Sequence, residues 1–155
     1  DSSEEMVEQA RIATGTDIRV EDFAHTSFES QNFDLLVSKW AVQTCDDIDE
    51  VYQECSRLLK TDGLLVFLVT HPMRQFIEKK KSGKNYFTQE IVESVLFNGS
   101  ITVKEPSHTL SDYFSDYFFE EFSLVRVKES YEFPGAEQIN NDIYPTHLVF
   151  TAKKL

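Results

Sequence analysis

An open, mostly parallel α/β sheet is the fold class this sequence predicts, on three observations. The run Leu64-Leu65-Val66-Phe67-Leu68-Val69 is apolar at every position, as in a strand buried on both faces. A second near-continuous apolar run, residues 33–38, precedes it, with a helical repeat between the two. Strand, helix, strand in that order is a βαβ unit, whose crossover should be right-handed. Finally, an alternating run over residues 124–131 and a last run over 148–152 read as an antiparallel pair at one sheet edge.

Taken in order, residues 1–13 read as a helix. Ser2-Ser3-Glu4-Glu5 has the pattern of a capping box. Met6, Ala10 and Ala13 follow at helical spacing, and Gly15 stops the helix. Ile18-Arg19-Val20 alternates as a short strand, and residues 22–32 are a polar loop. Asp46 or Asp47 caps a second helix, whose positions Ile48, Val51, Tyr52, Cys55, Leu58 and Leu59 form one buried face. Thr61-Asp62-Gly63 makes a turn. Residues 73–103 are less regular and include the basic loop Lys79-Lys80-Lys81-Ser82-Gly83-Lys84. Residues 109–121 read as one amphipathic helix with Leu110, Tyr113, Phe114, Tyr117 and Phe118 on its core face. A loop over 133–145 leads to the last strand.

Composition narrows the function. The chain has 155 residues, 41% of them hydrophobic and 13% aromatic, which fits a single globular domain over residues 1–155. A net charge of −12 repels phosphate backbones and argues against nucleic acid as a partner. No apolar run approaches the roughly 20 residues that span a bilayer, and the acidic start is unlike a signal peptide. Cys45 and Cys55 fit no metal or redox spacing, so two free thiols in a reducing cytoplasm are expected, and no metal site. In open α/β sheets ligands sit outside the carboxyl ends of the strands. Functional residues should therefore follow Val20, Val37 and Val69.

Several stretches resemble one family. Asp1-Ser2-Ser3-Glu4-Glu5-Met6 is similar to the acidic residue and helix start after the second strand of class I S-adenosylmethionine-dependent methyltransferases. Val20-Glu21-Asp22-Phe23 resembles the acid after their third strand, and Asn32-Phe33-Asp34-Leu35-Leu36-Val37-Ser38 their fourth strand. Arg57-Leu58-Leu59-Lys60-Thr61-Asp62-Gly63-Leu64 is similar to the family's turn into strand five, with Thr61-Asp62-Gly63 where Pro-Gly-Gly is usual. Val69-Thr70-His71-Pro72 resembles a branch whose fifth strand finishes in His-Pro.

The resemblance implies a Rossmann-like sheet and S-adenosylmethionine as cofactor. It implies that Asp1, with Ser2 beside it, accepts from the ribose hydroxyls, and that a carboxylate suits this as an acceptor-only group. Asp22 would accept from the adenine amino group while Phe23 lies against the ring. Ser38, Lys39 and Trp40 would follow the fourth strand, where the methionine end lies. His71 would be the general base for a hydroxyl acceptor, since its side chain titrates near neutral pH. Gln43, Tyr86 and His108 are candidates for the acceptor pocket, and His25 and His147 read as surface residues. The implied reaction is methyl transfer to a small-molecule substrate, with oxygen as the acceptor atom. The other reading is a non-catalytic methyltransferase-like scaffold.

None of the five glycines forms the family's glycine-rich turn. The expectation is that strands one and two of the family and their loop lie outside these residues, so that this portion alone is inactive. The family's strand order is three-two-one-four-five-seven-six. One flank of strand four would then lack its neighbours, an edge that invites pairing with a second copy. Direct pairing of residues 18–21 with 33–38 would instead make a self-contained, rearranged sheet.

Overall fold

A computed structural model describes residues 1–81, 83–96, 101–131 and 141–155. Helix α1 (Glu4–Thr14) opens where the Ser3 Oγ accepts the Met6 N–H at 3.3 Å, with Glu4 and Glu5 at the positive end of the helix dipole. It closes on Gly15 at φ +67°, a left-handed conformation that glycine adopts without strain. Val7 is the residue α1 buries, whereas Met6 is 56% exposed.

Strand β1 (Phe33–Lys39) leads through a 3-10 turn (Val42–Thr44) into α2 (Ile48–Leu58), and then into β2 (Leu59–Thr70). Asp47 caps α2 by accepting the Asp49 N–H at 2.9 Å. Ile48, Val51, Tyr52, Cys55 and Leu58 are buried, as their spacing predicts. β1 and β2 pair in parallel, with Val37 opposite Val66. After β2 come α3 (Pro72–Arg74), a π turn (Gln75–Lys79) and a hairpin of β3 (Ile91–Leu96) and β4 (Ile101–Pro106). This hairpin falls in the stretch that reads as irregular in the sequence. Ile91, Val95 and Ile101 are exposed, so no buried stripe marks it.

Two short helices, α4 (Leu110–Tyr113) and α5 (Asp116–Glu121), precede β5 (Phe122–Ser130), and β6 (His147–Lys154) ends the chain. The single helix expected over 109–121 is broken at Ser115, which caps α5 by accepting the Phe118 N–H and donates to Asp49 Oδ1. Residues 133–140 of the expected loop lie outside the described residues.

The sheet order is β1-β2-β6-β5. β6 is antiparallel to both neighbours, so the other three strands run one way. This is the open, mostly parallel sheet that the sequence predicts, with its antiparallel last strand. In β2, Leu65, Phe67 and Val69 are buried, while Leu64 is 38% exposed and Val66 and Leu68 are half-buried. One face is therefore sealed against α2 and α5, and the other is only partly covered. The core is an aromatic cluster of Tyr52, Phe67, Tyr113, Phe118, Phe122 and Phe150.

Residues 18–20 form no strand, contrary to the alternation. Arg19 O accepts the Asp1 amino group at 3.2 Å, and the Glu21 N–H donates to Asp1 O at 3.0 Å. That contact ties the segment to the chain start through one residue, too little for a ladder. No hydrogen bond joins it to β1, so the self-contained, rearranged sheet does not form. Residues 26–32 are bound to α2 instead: Gln31 and Asn32 donate to Arg57 O and Leu58 O at 2.9 Å each. Among the described residues nothing pairs with the outer edge of β1, where Leu35 and Val37 are 50% and 67% exposed.

Gly63 is the tightest glycine. A Cβ there would lie 2.8 Å from Lys60 O and 3.0 Å from the Leu59 side chain. Gly63→Ala should cost about 1–3 kcal/mol of stability by overpacking against backbone. A urea midpoint equal to the parent's would show that the turn relaxes freely.

Candidate active-site cleft

A cleft of about 680 Å³ opens at the carboxyl end of β1, within the size range of small-molecule sites. Its floor is apolar, built from Leu36 and Val42 with Val51, Cys55, Leu58 and Phe67. Its rim carries Asp1, Ser2, Phe23, Ser38, Lys39 and Trp40. Six of the seven residues expected to bind a cofactor are thus brought to one cleft. Asp22 is not in the lining; its Oδ1 accepts the Ala24 N–H at 2.9 Å and closes the turn that presents Phe23.

Asp1 and Trp40 are held by local contacts. Asp1 Oδ1 accepts the Ser3 N–H at 2.9 Å, which leaves the carboxylate further lone pairs. Phe23 and Trp40 are 38% and 37% exposed and line the cleft. Trp40 has φ +59°, an uncommon conformation for a bulky residue. Its N–H donates to Leu68 O at 2.9 Å, and its ring lies edge-on to His147 at 4.8 Å. His147 is therefore half-buried beside the rim, not a surface residue as expected.

The far wall, with Thr26 and Phe28, is braced by Arg57. Arg57 Nη1 donates to Phe28 O at 2.7 Å and Nη2 to Thr26 O at 3.2 Å. Its guanidinium also pairs with Glu54 at 2.7 and 2.8 Å. Glu54 is 7% exposed, and the Arg57 hydrogen bonds draw its carboxyl down to about 2. Thr26 and Phe28 line the cleft without any sequence signal of their own; the motif around Arg57 pointed to this corner. Burial pushes the Cys55 thiol up to about 12 and raises Cys45 as well. Both thiols are free and neither is activated as a nucleophile.

Comparison with known proteins bears on this geometry. Residues 1–67 match the family model described as a methyltransferase domain. The chain superposes on an S-adenosylmethionine-dependent methyltransferase from Mesorhizobium loti with a TM-score of 0.75 at 19% identity, covering 99% of this chain and 77% of that one. The chain shares the fold of S-adenosylmethionine-dependent methyltransferases. A malonyl-[acyl-carrier protein] O-methyltransferase from Enterobacter lignolyticus is 30% identical over 105 residues, which are 62% of this chain and 42% of that protein. The chain thus spans less than half the length of this curated relative. The [4+2]-cyclase SpnF shares the fold at a TM-score of 0.65 and 12% identity, covering 99% of this chain and 64% of that one. Fold alone therefore does not fix the reaction, which has to be argued from the site.

In the methyltransferase fold His71 ends β2, but it does not line the cleft. It is 2% exposed and both ring nitrogens are engaged. Nδ1 accepts the Met73 N–H at 3.0 Å and caps α3, while Nε2 lies 2.9 Å from Glu129 Oε1. Burial lowers its pKa, against the opposing pull of Glu129. The geometry makes His71 an anchor of the β2–α3 corner. His71→Ala should cost about 1–2 kcal/mol through the lost cap and hydrogen bond, and should leave nucleoside binding in the cleft unchanged. A variant with parental stability would remove that anchoring role.

Gln43 and His108 are buried, each in a polar network. Gln43 Nε2 donates to Thr70 Oγ1 at 2.9 Å and to Glu105 Oε2 at 3.0 Å, and Gln43 Oε1 accepts the Thr70 N–H at 2.8 Å. Tyr86 Oη accepts the Leu110 N–H at 2.9 Å, and His25 is exposed. Among the described residues no group of three or more His, Cys, Asp or Glu side chains is arranged to hold a metal ion, and no helix is long and apolar enough to cross a membrane.

The cleft fits the nucleoside half of S-adenosylmethionine. Two aromatic side chains and an acceptor-only carboxylate line it beside apolar residues, as a planar base with a ribose diol requires.

Proposed function

We propose that this chain forms the nucleoside-binding and acceptor-side part of a methyltransferase that moves a methyl group from S-adenosylmethionine to an acceptor oxygen. The observation that carries the reading is the convergence of Asp1, Phe23, Ser38 and Trp40 on one cleft at the end of β1. Asp1 would accept from the ribose hydroxyls, and Ser2 would flank it. Phe23 would cover one face of the adenine, and the second oxygen of Asp22 would take its amino group. Ser38, Lys39 and Trp40 would border the methionine end. The bound cofactor supplies an already activated methyl, so the protein's task is to orient the acceptor and exclude water. The acceptor class is a small or carrier-linked acid or alcohol; the malonyl-carrier O-methyltransferase relative supports oxygen.

The sequence has one tryptophan, Trp40, and it lines the cleft. Its fluorescence therefore reports binding directly. The 155-residue chain should bind S-adenosylhomocysteine weakly, with a dissociation constant of roughly millimolar order. Asp1→Ala should reduce the initial slope of the titration about tenfold, the loss expected for hydrogen bonds to a charged group. No fluorescence change with ligand would overturn the cofactor assignment. Micromolar affinity would show that the residues of this cleft suffice for tight binding.

A further inference from the structure

Gln43 does not line the cleft, but its chain neighbours do: Val42 and Thr44 in the 3-10 turn, and Trp40 just before it. The turn follows β1 and is closed by the Thr44 and Cys45 N–H groups, which donate to Ala41 O and Val42 O at 2.9 and 3.1 Å. A single turn of this kind has little stability of its own. The Gln43 side chain ties it down. It is 6% exposed and reaches β2, where its Oε1 accepts the Thr70 N–H at 2.8 Å and its Nε2 donates to Thr70 Oγ1 at 2.9 Å. Nε2 also donates to Glu105 Oε2 on β4 at 3.0 Å. Gln43 thus joins the turn, the carboxyl end of β2 and the hairpin.

Glu105 is the other half of this joint. It is 3% exposed, and each carboxylate oxygen accepts an amide N–H, one from Gln43 and one from Gln75 Nε2 at 3.3 Å. Further hydrogen bonds surround the pair. Gln75 Nε2 donates to Pro106 O at 3.2 Å, Gln75 Oε1 accepts the His108 N–H at 3.0 Å, and His108 Nε2 lies 3.1 Å from Gln43 O. Farther out, the hairpin leaves Ile91, Val95 and Ile101 exposed. A buried polar network therefore sits where the hairpin base meets the cleft wall, and in such a setting the bonds strengthen one another.

We propose that Gln43 is a positioning residue for the cleft, and that its bond with Glu105 couples the seat of Trp40, Val42 and Thr44 to the β3–β4 hairpin. A ligand against the cleft wall and a change at the hairpin base then act on one joint, so each alters the free energy of the other. Neither side chain lines the cleft, so the effect is transmitted and not made by contact. The inference rests on the reading above only for the choice of ligand.

The test exchanges the two side chains in the whole chain. In Glu105→Gln, one of the two amide donors faces an NH2 group in place of an oxygen. Adding Gln43→Glu supplies an acceptor to the Thr70 N–H, to the Thr70 hydroxyl and to the amide now opposite, so the joint is remade with its charge moved across it. Acrylamide quenching of Trp40, the one tryptophan, reads the cleft rim without ligand, and hydrogen exchange reads β3 and β4. Glu105→Gln should raise the quenching. It should also speed hairpin exchange and weaken S-adenosylhomocysteine binding, each about tenfold. The double variant should return all three to the parent's values. Gly63→Ala, at the far end of β2, should leave the quenching unchanged, which separates positioning from general loss of stability. Parental quenching and affinity in Glu105→Gln, no recovery in the double variant, or an equal quenching change in Gly63→Ala would each overturn the inference. Should Glu105→Gln not fold, a double variant that folds with parental quenching supports the coupling, and one that also fails to fold overturns it. If the parent shows no response to S-adenosylhomocysteine, the cofactor reading fails, and quenching and exchange decide the coupling by themselves.

Discussion

Replacing Arg57 with alanine should cost about 3–5 kcal/mol, the penalty for stranding a buried charge, and should collapse the outer wall of the cleft. Glu54 is 7% exposed and spends both oxygens on Arg57, with Thr26 N and Oγ1 as further donors to Oε1. Without the guanidinium, the carboxylate is left with Thr26 alone. Arg57 also ties down Phe28 O and Thr26 O, so the loop carrying those cleft residues loses its brace. Total stabilities of domains are only about 5–15 kcal/mol, so the variant should be close to unfolding. Urea denaturation measures the first effect, and Trp40 fluorescence in the folded fraction measures the second. A variant within experimental error of the parent would mean that the pair is merely a solvated contact.

The same pair sets the acid limit. Glu54 is held at about 2 against an ordinary 4.5, so the folded state resists its protonation. That contribution is complete above pH 4.5 and is lost as pH falls toward 2. At about 1.4 kcal/mol per pH unit it amounts to on the order of 3 kcal/mol. His71 and His108 act earlier. Burial lowers both below 6.5, so the fold favours their neutral forms and acidification below 6.5 begins to cost stability. The parent should therefore lose stability in two stages on acidification, and Arg57→Ala should lack the lower one. An unchanged low-pH stage in that variant would assign the transition to other carboxylates.

Phe150→Ala should also cost about 3–5 kcal/mol, as for other buried aromatic truncations. Phe150 is fully buried at the centre of β6, opposite Phe67 in the sheet. Its ring lies 5.2 Å from Phe114, 5.5 Å from Phe67 and 6.1 Å from Phe118. These rings come from three separate elements, so the cavity cannot be closed by moving one of them. The measurement is again the urea midpoint, with the slope expected to stay at the parent's value. A loss under 1 kcal/mol would require the core to repack, which edge-on aromatic contacts of this kind resist.

Local pattern alone settled several elements. Asp46 and Asp47 ahead of a 3–4 repeat identified α2 and narrowed its cap to two residues, of which the structure uses Asp47, because helix capping and burial periodicity are short-range. The apolar run of β2 and the alternation of β5 identified strands and, by order, the open sheet. Ser38 and Trp40 were legible from the end of β1, where such sheets place ligands, and Asp1 and Phe23 through the resemblance of their motifs to a known family. Their meeting in one cleft depends on chain segments that local pattern cannot bring together.

Tertiary structure decided the rest. Residues 18–20 alternate like a strand but form none, since a strand exists only where a neighbour supplies a ladder. The periodicity over 109–121 continues through Ser115, but its hydroxyl bonds Asp49 on another helix and ends one helix there. His71 looks like a base at a strand end, until Met73 and Glu129 are found on its two nitrogens. Arg57 and His108 carry no local signal for what they do, because their partners lie in distant elements. Sequence by itself determined the order and type of the strongly patterned elements, through forces that act within a few residues. Which polar groups met, which stayed unpartnered and which surface became a cleft followed from long-range packing, where burial sets the value of every hydrogen bond.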